Sequence, residues 1–398
     1  MHDHQALVLT AVLILIYGLF SKLSERSPIS GPMVFVSVGV LVSSFALDMF
    51  ELHVETELVK FVAELTLVLI LFVDGSLIKL NKLGDVLRGI PGRLLLIGLP
   101  ITSILGTLLA LVMFPDWGIW SVAMLALVLS PTDAALGQAV VKSEKVPENI
   151  RKSVSIESGL NDGMVLPPIL VCIAALASGG ADFTGEGQWI KYITLQLTLG
   201  PLFGLLVGQF GGRVIEYAAS RNWMDPIFQQ LSSFALAILA FAIAELFHGN
   251  GFIAAFVAGL TLGVKSNDVR HRIQEFGEAQ GQLLSLFVFL ILGLTAIPLF
   301  SPYWNTMTVI YAILSLTLIR MLPVFLSLWG TGLDTYSKIF IGWFGPRGIA
   351  SILYLLIIIG ELGENAPKEV LSVIVLTVLF SVFAHGFSAV GMSAKFKQ

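Results

Sequence analysis

Glu157, Ser158, Asn161 and Asp162 fall within one apolar-flanked stretch, SVSIESGLNDGMVLPP, from Ser153 to Pro168. On a helix Ser158 and Asp162 are four residues apart and share a face; Glu157 and Asn161 share the neighbouring one. Pro167 and Pro168 lack amide donors, so they free carbonyls one turn earlier, near Gly163 and Met164. One turn therefore presents a carboxylate, a hydroxyl and an amide oxygen together. Oxygen donors of this kind suit a hard cation. The segment is long enough to cross a bilayer. A charge at the centre of a membrane helix costs about 2.5–3.5 kcal/mol on insertion scales, and such residues mark an ion or substrate path.

The rest of the chain must hold this stretch in a membrane. Apolar residues make up 56% of the sequence and charged ones 13%, against about 45–50% and about 25% in soluble domains. The net charge of −4 argues against a nucleic-acid partner, and the lipid bilayer is the expected surrounding. With Cys172 as the single cysteine, no internal disulfide can form. Thirteen apolar segments have spanning or near-spanning length: 6–20, 32–49, 58–78, 94–113, 117–141, 153–177, 190–212, 227–247, 250–264, 279–300, 305–329, 338–360 and 368–393. The leading MHDHQ lacks the basic region of a cleavable signal peptide. Most of the 23 Lys and Arg fall on alternate loops, including Lys22, Arg26, Lys79, Lys82, Lys142, Arg221, Lys265 and Lys338, with Lys395 and Lys397 in the tail. The positive-inside rule makes that side cytoplasmic and places the N-terminus outside. The expected location is a plasma or bacterial inner membrane. The loops reach only about a dozen residues, too short to fold alone, and the whole chain reads as a single transport domain. The acidic loop with Asp48, Glu51, Glu55 and Glu57 reads as a solvated turn.

Two spans are interrupted at matching places. The fifth breaks around Ser130-Pro131-Thr132-Asp133 and the twelfth around Gly345-Pro346-Arg347-Gly348. Proline removes an amide donor and disfavours helix before it, and unpaired backbone at this depth must be buried in protein or line a wet cavity. The breaks lie seven spans apart. Six spans (about 6–177), a linker helix (about 190–212) and six more (about 227–393) make them equivalent members of two inverted repeats. Paired broken helices point to a transporter binding site. The linker carries Gly200, Gly204, Gly208 and Gly212, a stripe that lets another backbone approach closely.

The motifs PTD in one span, ESGLND in the next and GPRG near the end together resemble the monovalent cation:proton antiporters. The Asn161-Asp162 pair is similar to the electroneutral, NhaP-like branch related to animal sodium/proton exchangers. The resemblance covers nearly the whole chain. It implies an all-α membrane fold of thirteen helices in two inverted six-helix repeats, with a core bundle moving against a dimerisation bundle in a homodimer. It also implies that Asp162 binds either the cation or the proton, with Thr132, Asp133, Ser158 and Asn161 lining the site. Asp162, Thr132 and Ser158 would hold the transported Na+, and no resident cofactor is expected. Glu157 would be neutralised by a basic residue from the second repeat.

The physics runs parallel to the resemblance. A bare carboxylate away from water faces a desolvation penalty of several kcal/mol. A proton or a cation relieves it, but not both at once, so one is exchanged for the other with no net charge moved. Two intramembrane arginines need partners. Arg320 in the eleventh span is assigned to Glu157, because the family pairs that glutamate with a basic residue on this helix. Arg347 is assigned to Asp133, its counterpart at the opposing break; the swap of Arg347 onto Glu157 stays open. Glu64 and Asp74 in the third span read as side chains snorkelling toward the interface, with a place in an access funnel as the alternative. His385 reads as a packed neutral histidine, and Glu245 and His248 as facing water. His2, His4, His53 and His271 have no metal-ligand spacing. The competing readings are a potassium/proton antiporter of the same fold, a cation channel, an intramembrane aspartyl protease and a sensor that keeps the fold without transport. A channel needs a filter loop that the sequence lacks. A protease needs two carboxylates about 3 Å apart sharing a proton.

Overall fold

Backbone amides in hydrocarbon find no water, so apolar runs of this length close their hydrogen bonds within themselves as helices. The computed structural model describes residues 2–25, 27, 29–47, 57–77, 83–133, 136, 140, 143–178 and 188–396, and among them there is no strand. The helices are α1 (His2–Glu25), α2 (Gly31–Val42), α3 (Glu57–Ser76), α4 (Leu83–Arg88), α5 (Ile90–Met113) and α6 (Ile119–Val128). They continue with α7 (Glu148–Ala177), α8 (Gln188–Leu206), α9 (Gly212–Ser220), α10 (Pro226–Leu246), α11 (Gly251–Leu260) and α12 (Asn267–Tyr303). The last are α13 (Thr306–Ser327), α14 (Thr335–Trp343), α15 (Ile349–Leu362) and α16 (Lys368–Ser393). Among the described residues, α5, α7, α10, α12, α13 and α16 are each long and apolar enough to cross a membrane.

Both expected breaks are present as non-helical backbone. The chain leaves helix after Val128 and stays irregular through Asp133, and it is irregular again over residues 344–348, between α14 and α15. Most of the second half of the fifth span lies outside the described residues. So do Arg26, Asp48, Glu51, His53, Glu55, Lys79, Lys82, Lys142 and Lys397, and the side chains of His2, His4 and Glu57. The eleventh span is not one straight helix: α13 is distorted at Thr317, with φ −110° and ψ −92°. The ninth span is shorter than its apolar run. It stops being helical after Leu260, and Gly263 N–H instead donates to the Gly208 carbonyl at 3.0 Å.

Helix packing sorts the chain into two groups. In one, α3, α8 and α10 surround α11, α12 packs on α3 and α10, and α2 lies along α12. In the other, α5, α6, α7, α13, α14, α15 and α16 pack together. The glycine stripe of the seventh span acts as spacing predicts, and the backbone that approaches it is that of α11. Gly200 faces the Asn250 carbonyl, Gly204 that of Ala254 and Gly208 that of Ala258, with Gly212 against the Gly263 amide. The same device joins α3 to α11, where Gly75 meets the Phe256 carbonyl and Gly259 the Phe72 carbonyl. A β-carbon at any of these positions would overlap main chain. The groups face each other where α3 and α12 meet α7 and α15.

Candidate functional site

The two irregular segments cross, and each satisfies the other's backbone. Asp133 N–H donates to the Pro346 carbonyl at 2.8 Å, and Ile349 N–H donates to Asp133 Oδ2 at 2.7 Å. The Asp133 carboxylate therefore lies at the N-terminus of α15, where unpaired amides and the helix dipole favour negative charge. Gly348 makes this approach available, because a β-carbon there would overlap Asp133 Oδ2. Arg347, fully buried, points the other way. Its Nη1 donates to the carbonyls of Ser130 and Pro131 at 2.9 and 3.0 Å, just past the end of α6. Its own N–H donates to Ser381 Oγ on α16 at 2.7 Å. This corrects the expected ion pair: Arg347 does not bridge to the Asp133 carboxylate. Each charge serves the helix end opposite it, since Pro131 leaves carbonyls that only a donor can satisfy.

α7 runs beside the crossing. Asn161 Nδ2 donates to Thr132 Oγ1 at 2.8 Å, and Thr132 Oγ1 lies 2.9 Å from Ser158 Oγ. Thr132, Ser158 and Asn161 thus form one polar chain that ties α7 to the fifth-span break. On the neighbouring face, Glu157 Oε1 lies 2.7 Å from Arg320 Nη2, with both side chains almost completely buried. The contact is coulombic, as neither oxygen of Glu157 has a hydrogen bond among the described residues. Arg320 reaches this position across Gly345, where a β-carbon would overlap its Nε. Arg320 sits one turn beyond the Thr317 distortion of α13.

Asp162 lies at the inner end of a cavity of about 420 Å³ between the two helix groups. Thr132, Asp133, Ser158 and Asp74 also line it. Its outer part is lined by Glu275, Glu278 and Gln282 of α12, all exposed. At about 30 Å³ per water, the space holds on the order of ten waters, enough for a hydrated path to the carboxylate. Asp162 is 5% exposed. Its Oδ1 has no hydrogen-bond partner among the described residues, and no Lys or Arg is among those that line the cavity. A buried oxygen left this way costs free energy unless something occupies it. The mouth lies at the end where α7 and α12 begin, near Arg151, Lys152, Arg270 and Arg272.

Five of the expected residues, then, gather at the crossing: Thr132, Asp133, Ser158, Asn161 and Asp162. Asn161 does not line the cavity itself; it touches Thr132. Glu157 and Arg320 stand behind the site as a pair. Asp74 departs from the snorkelling expectation, because it faces the cavity beside Gly159 of α7. Glu275 and Glu278 were not singled out, since on the sequence they belong to a polar helix start. Tyr354 was also missed; its hydroxyl donates to the Asp162 carbonyl at 2.8 Å, tying α15 to α7. His385 is buried, with Nδ1 2.9 Å from the Ser381 carbonyl and its ring against Trp343.

Comparison with known proteins places this arrangement. Residues 8–395 match the family described as sodium/hydrogen exchanger, transmembrane. The K(+)/H(+) antiporter NhaP of Alkalimonas amylolytica is 24% identical over 94% of this chain and 64% of its own length. A Na(+)/H(+) antiporter of Schizosaccharomyces pombe is 24% identical over 70% of this chain and 65% of its own. The chain thus spans less than two thirds of these relatives. Among solved structures, the sodium proton antiporter MjNhaP1 of Methanocaldococcus jannaschii at pH 8 has the same fold. Its TM-score is 0.78 with 18% identity, covering 97% of this chain and all of the other. The chain described here, with its crossed broken helices and buried carboxylates, belongs to the transmembrane sodium/hydrogen exchanger family.

Proposed function

We propose that the chain exchanges a monovalent cation, Na+ foremost, for one proton, without net charge movement, at the Asp162 carboxylate. The observation that carries this reading is the position of Asp162: buried, short of a partner at Oδ1, and at the end of a cavity lined by carboxylates. Glu157 is already countered by Arg320, and Asp133 accepts the first amide of α15. That leaves Asp162, with Asp74 beside it on the cavity wall, to alternate between a proton and a cation. Thr132 and Ser158 offer hydroxyl oxygens and Asp74 a second carboxylate on the cavity wall. Asn161 holds Thr132 in place. When neither ligand is aboard, the site carries an uncompensated charge, which opposes the change of face. With either aboard it crosses. Sodium and proton are cargo here, and no cofactor takes part.

The same proposal includes thirteen spans in two inverted repeats, a homodimer in a plasma or bacterial inner membrane, and a cytoplasmic C-terminus. In that orientation the cavity opens to the cytoplasm. A potassium/proton exchange at the same site is the second reading, favoured by the names of the relatives from Alkalimonas amylolytica and Shewanella oneidensis, both K(+)/H(+) antiporters. Proteoliposomes with an internal pH dye, challenged with Na+, Li+ or K+ with and without a voltage clamp, test both. Sodium-driven proton movement that ignores the clamp, and its loss in a folded Asp162→Asn variant, is the expected result. Transport retained by that variant, or flux that follows the clamp, contradicts the reading. A response to K+ alone selects the second.

A further inference from the structure

One residue beyond Asp162, a ring from the other helix group closes on α7. A β-carbon on Gly163 would lie 2.6 Å from Phe256 Cγ and 2.7 Å from Cδ1 and Cδ2. The phenyl ring therefore rests face-down on the glycine, nearer than any side chain at 163 would allow. Phe256 belongs to α11, and its backbone is fixed: its carbonyl is held against Gly75 of α3. It is 9% exposed. Along α7 the cavity is lined by Ser155, Ser158 and Asp162, and neither Gly163 nor Phe256 is among its lining residues. The wet path thus follows α7 as far as Asp162 and stops where the ring sits.

We propose that Phe256 is the seal that separates Asp162 from the far side of the membrane while the mouth at Glu275 and Glu278 is open, with Gly163 as its seat. The inference rests on the exchange cycle proposed above. Such a cycle works only if the carboxylate never meets both sides at once. A thread of water past the site would let protons run without cations. An aromatic face laid on bare helix backbone excludes that thread, because carbons at van der Waals contact leave no space for a water. Phe256 and Gly163 stand on opposite helix groups, so any sliding of one group against the other lifts the ring from its seat. Opening toward the far side and breaking this contact are then the same event.

Ordinary packing and a seal predict different behaviour in transport. The test uses purified protein in proteoliposomes, reading proton leak without cation, the ratio of sodium to protons exchanged, and thermal unfolding in detergent. Gly163→Ala forces the ring aside, and Phe256→Leu leaves a gap over the glycine. Each single variant should raise the cation-independent proton leak severalfold and lower the sodium-to-proton ratio. Combining them lets the alanine methyl occupy the space the shorter side chain vacates, so the double variant should leak less than either single one. Should either single variant fail to fold, Phe256→Ala decides, because it removes the ring and leaves the glycine bare: a raised leak supports the seal and a wild-type leak overturns it. Folded single variants with wild-type leak and ratio overturn it as well, whatever their melting temperatures. Wild-type protein that moves no protons in response to sodium would instead defeat the exchange reading, a separate outcome.

Discussion

Glu157 and Arg320 show what a buried charge requires of its neighbours. Removing either partner of a buried pair leaves the other uncompensated and costs about 3–5 kcal/mol, whereas replacing both with apolar groups costs far less. A double-mutant cycle with Glu157→Gln and Arg320→Met should therefore show strong coupling in thermal stability, the double variant being more stable than either single one. Additive losses would mean that the 2.7 Å contact carries no energy. At this scale the sequence was informative about which groups carry charge and less so about what they touch. Asp162, Thr132 and Ser158 were legible because polar residues stand out in an apolar span. The partner of Arg347 was not, because a guanidinium is satisfied by carbonyls as well as by a carboxylate, and carbonyls leave no mark in a sequence. For Asp74 the sequence favours snorkelling over the access funnel that the cavity supports, because a place near the end of a span suits an interface residue equally well. Only the close approach of α3 to Gly159 of α7 turns it into the cavity.

Helices and their interruptions set the geometry. The prolines at 131 and 346 made both breaks readable, yet not their crossing, which depends on Gly345 and Gly348 clearing space for Arg320 and Asp133. Arg347 holds the crossing by two carbonyls on one nitrogen. Arg347→Met keeps the bulk but leaves those acceptors buried and unpaired, at about 1–3 kcal/mol. The expected outcome is a lower melting temperature together with weaker sodium affinity, since Thr132 follows directly on Pro131. Unchanged affinity in calorimetric titration with sodium would detach Arg347 from the site. The glycine stripe of the seventh span was read correctly as packing, because regular four-residue spacing has one structural meaning whatever surface it meets. The shortness of α11 was not foreseen. Its apolar run continues past Leu260, and only the pairing of Gly263 with Gly208 shows why the helix ends.

For the whole molecule the question is which end of the cavity faces which compartment. Basic residues cluster where α7 and α12 begin, and the cavity mouth lies there too. Cysteines placed at Gln282 in the mouth and at Leu246 at the opposite end of α10 should react with a membrane-impermeant reagent from opposite sides. In inside-out vesicles the first should label and the second should not. The reverse pattern would invert the orientation and make the described cavity an outward-facing one. The two helix groups meet along α3, α7, α12 and α15, with α8 and α11 also against α7 and α16 against α2 and α12; this gives the molecule a natural plane of movement, and the site lies on it.

One carboxylate serving two rivals leaves a signature in affinity. The apparent KM for sodium, measured in proteoliposomes over a series of pH values with both faces at the same pH, reports the competition directly. If a single proton displaces a single sodium ion from Asp162, KM rises by about tenfold for each unit of pH on the acid side, while the maximal rate at saturating sodium stays constant. A KM that does not change with pH, while the maximal rate falls, would place proton and cation on separate groups.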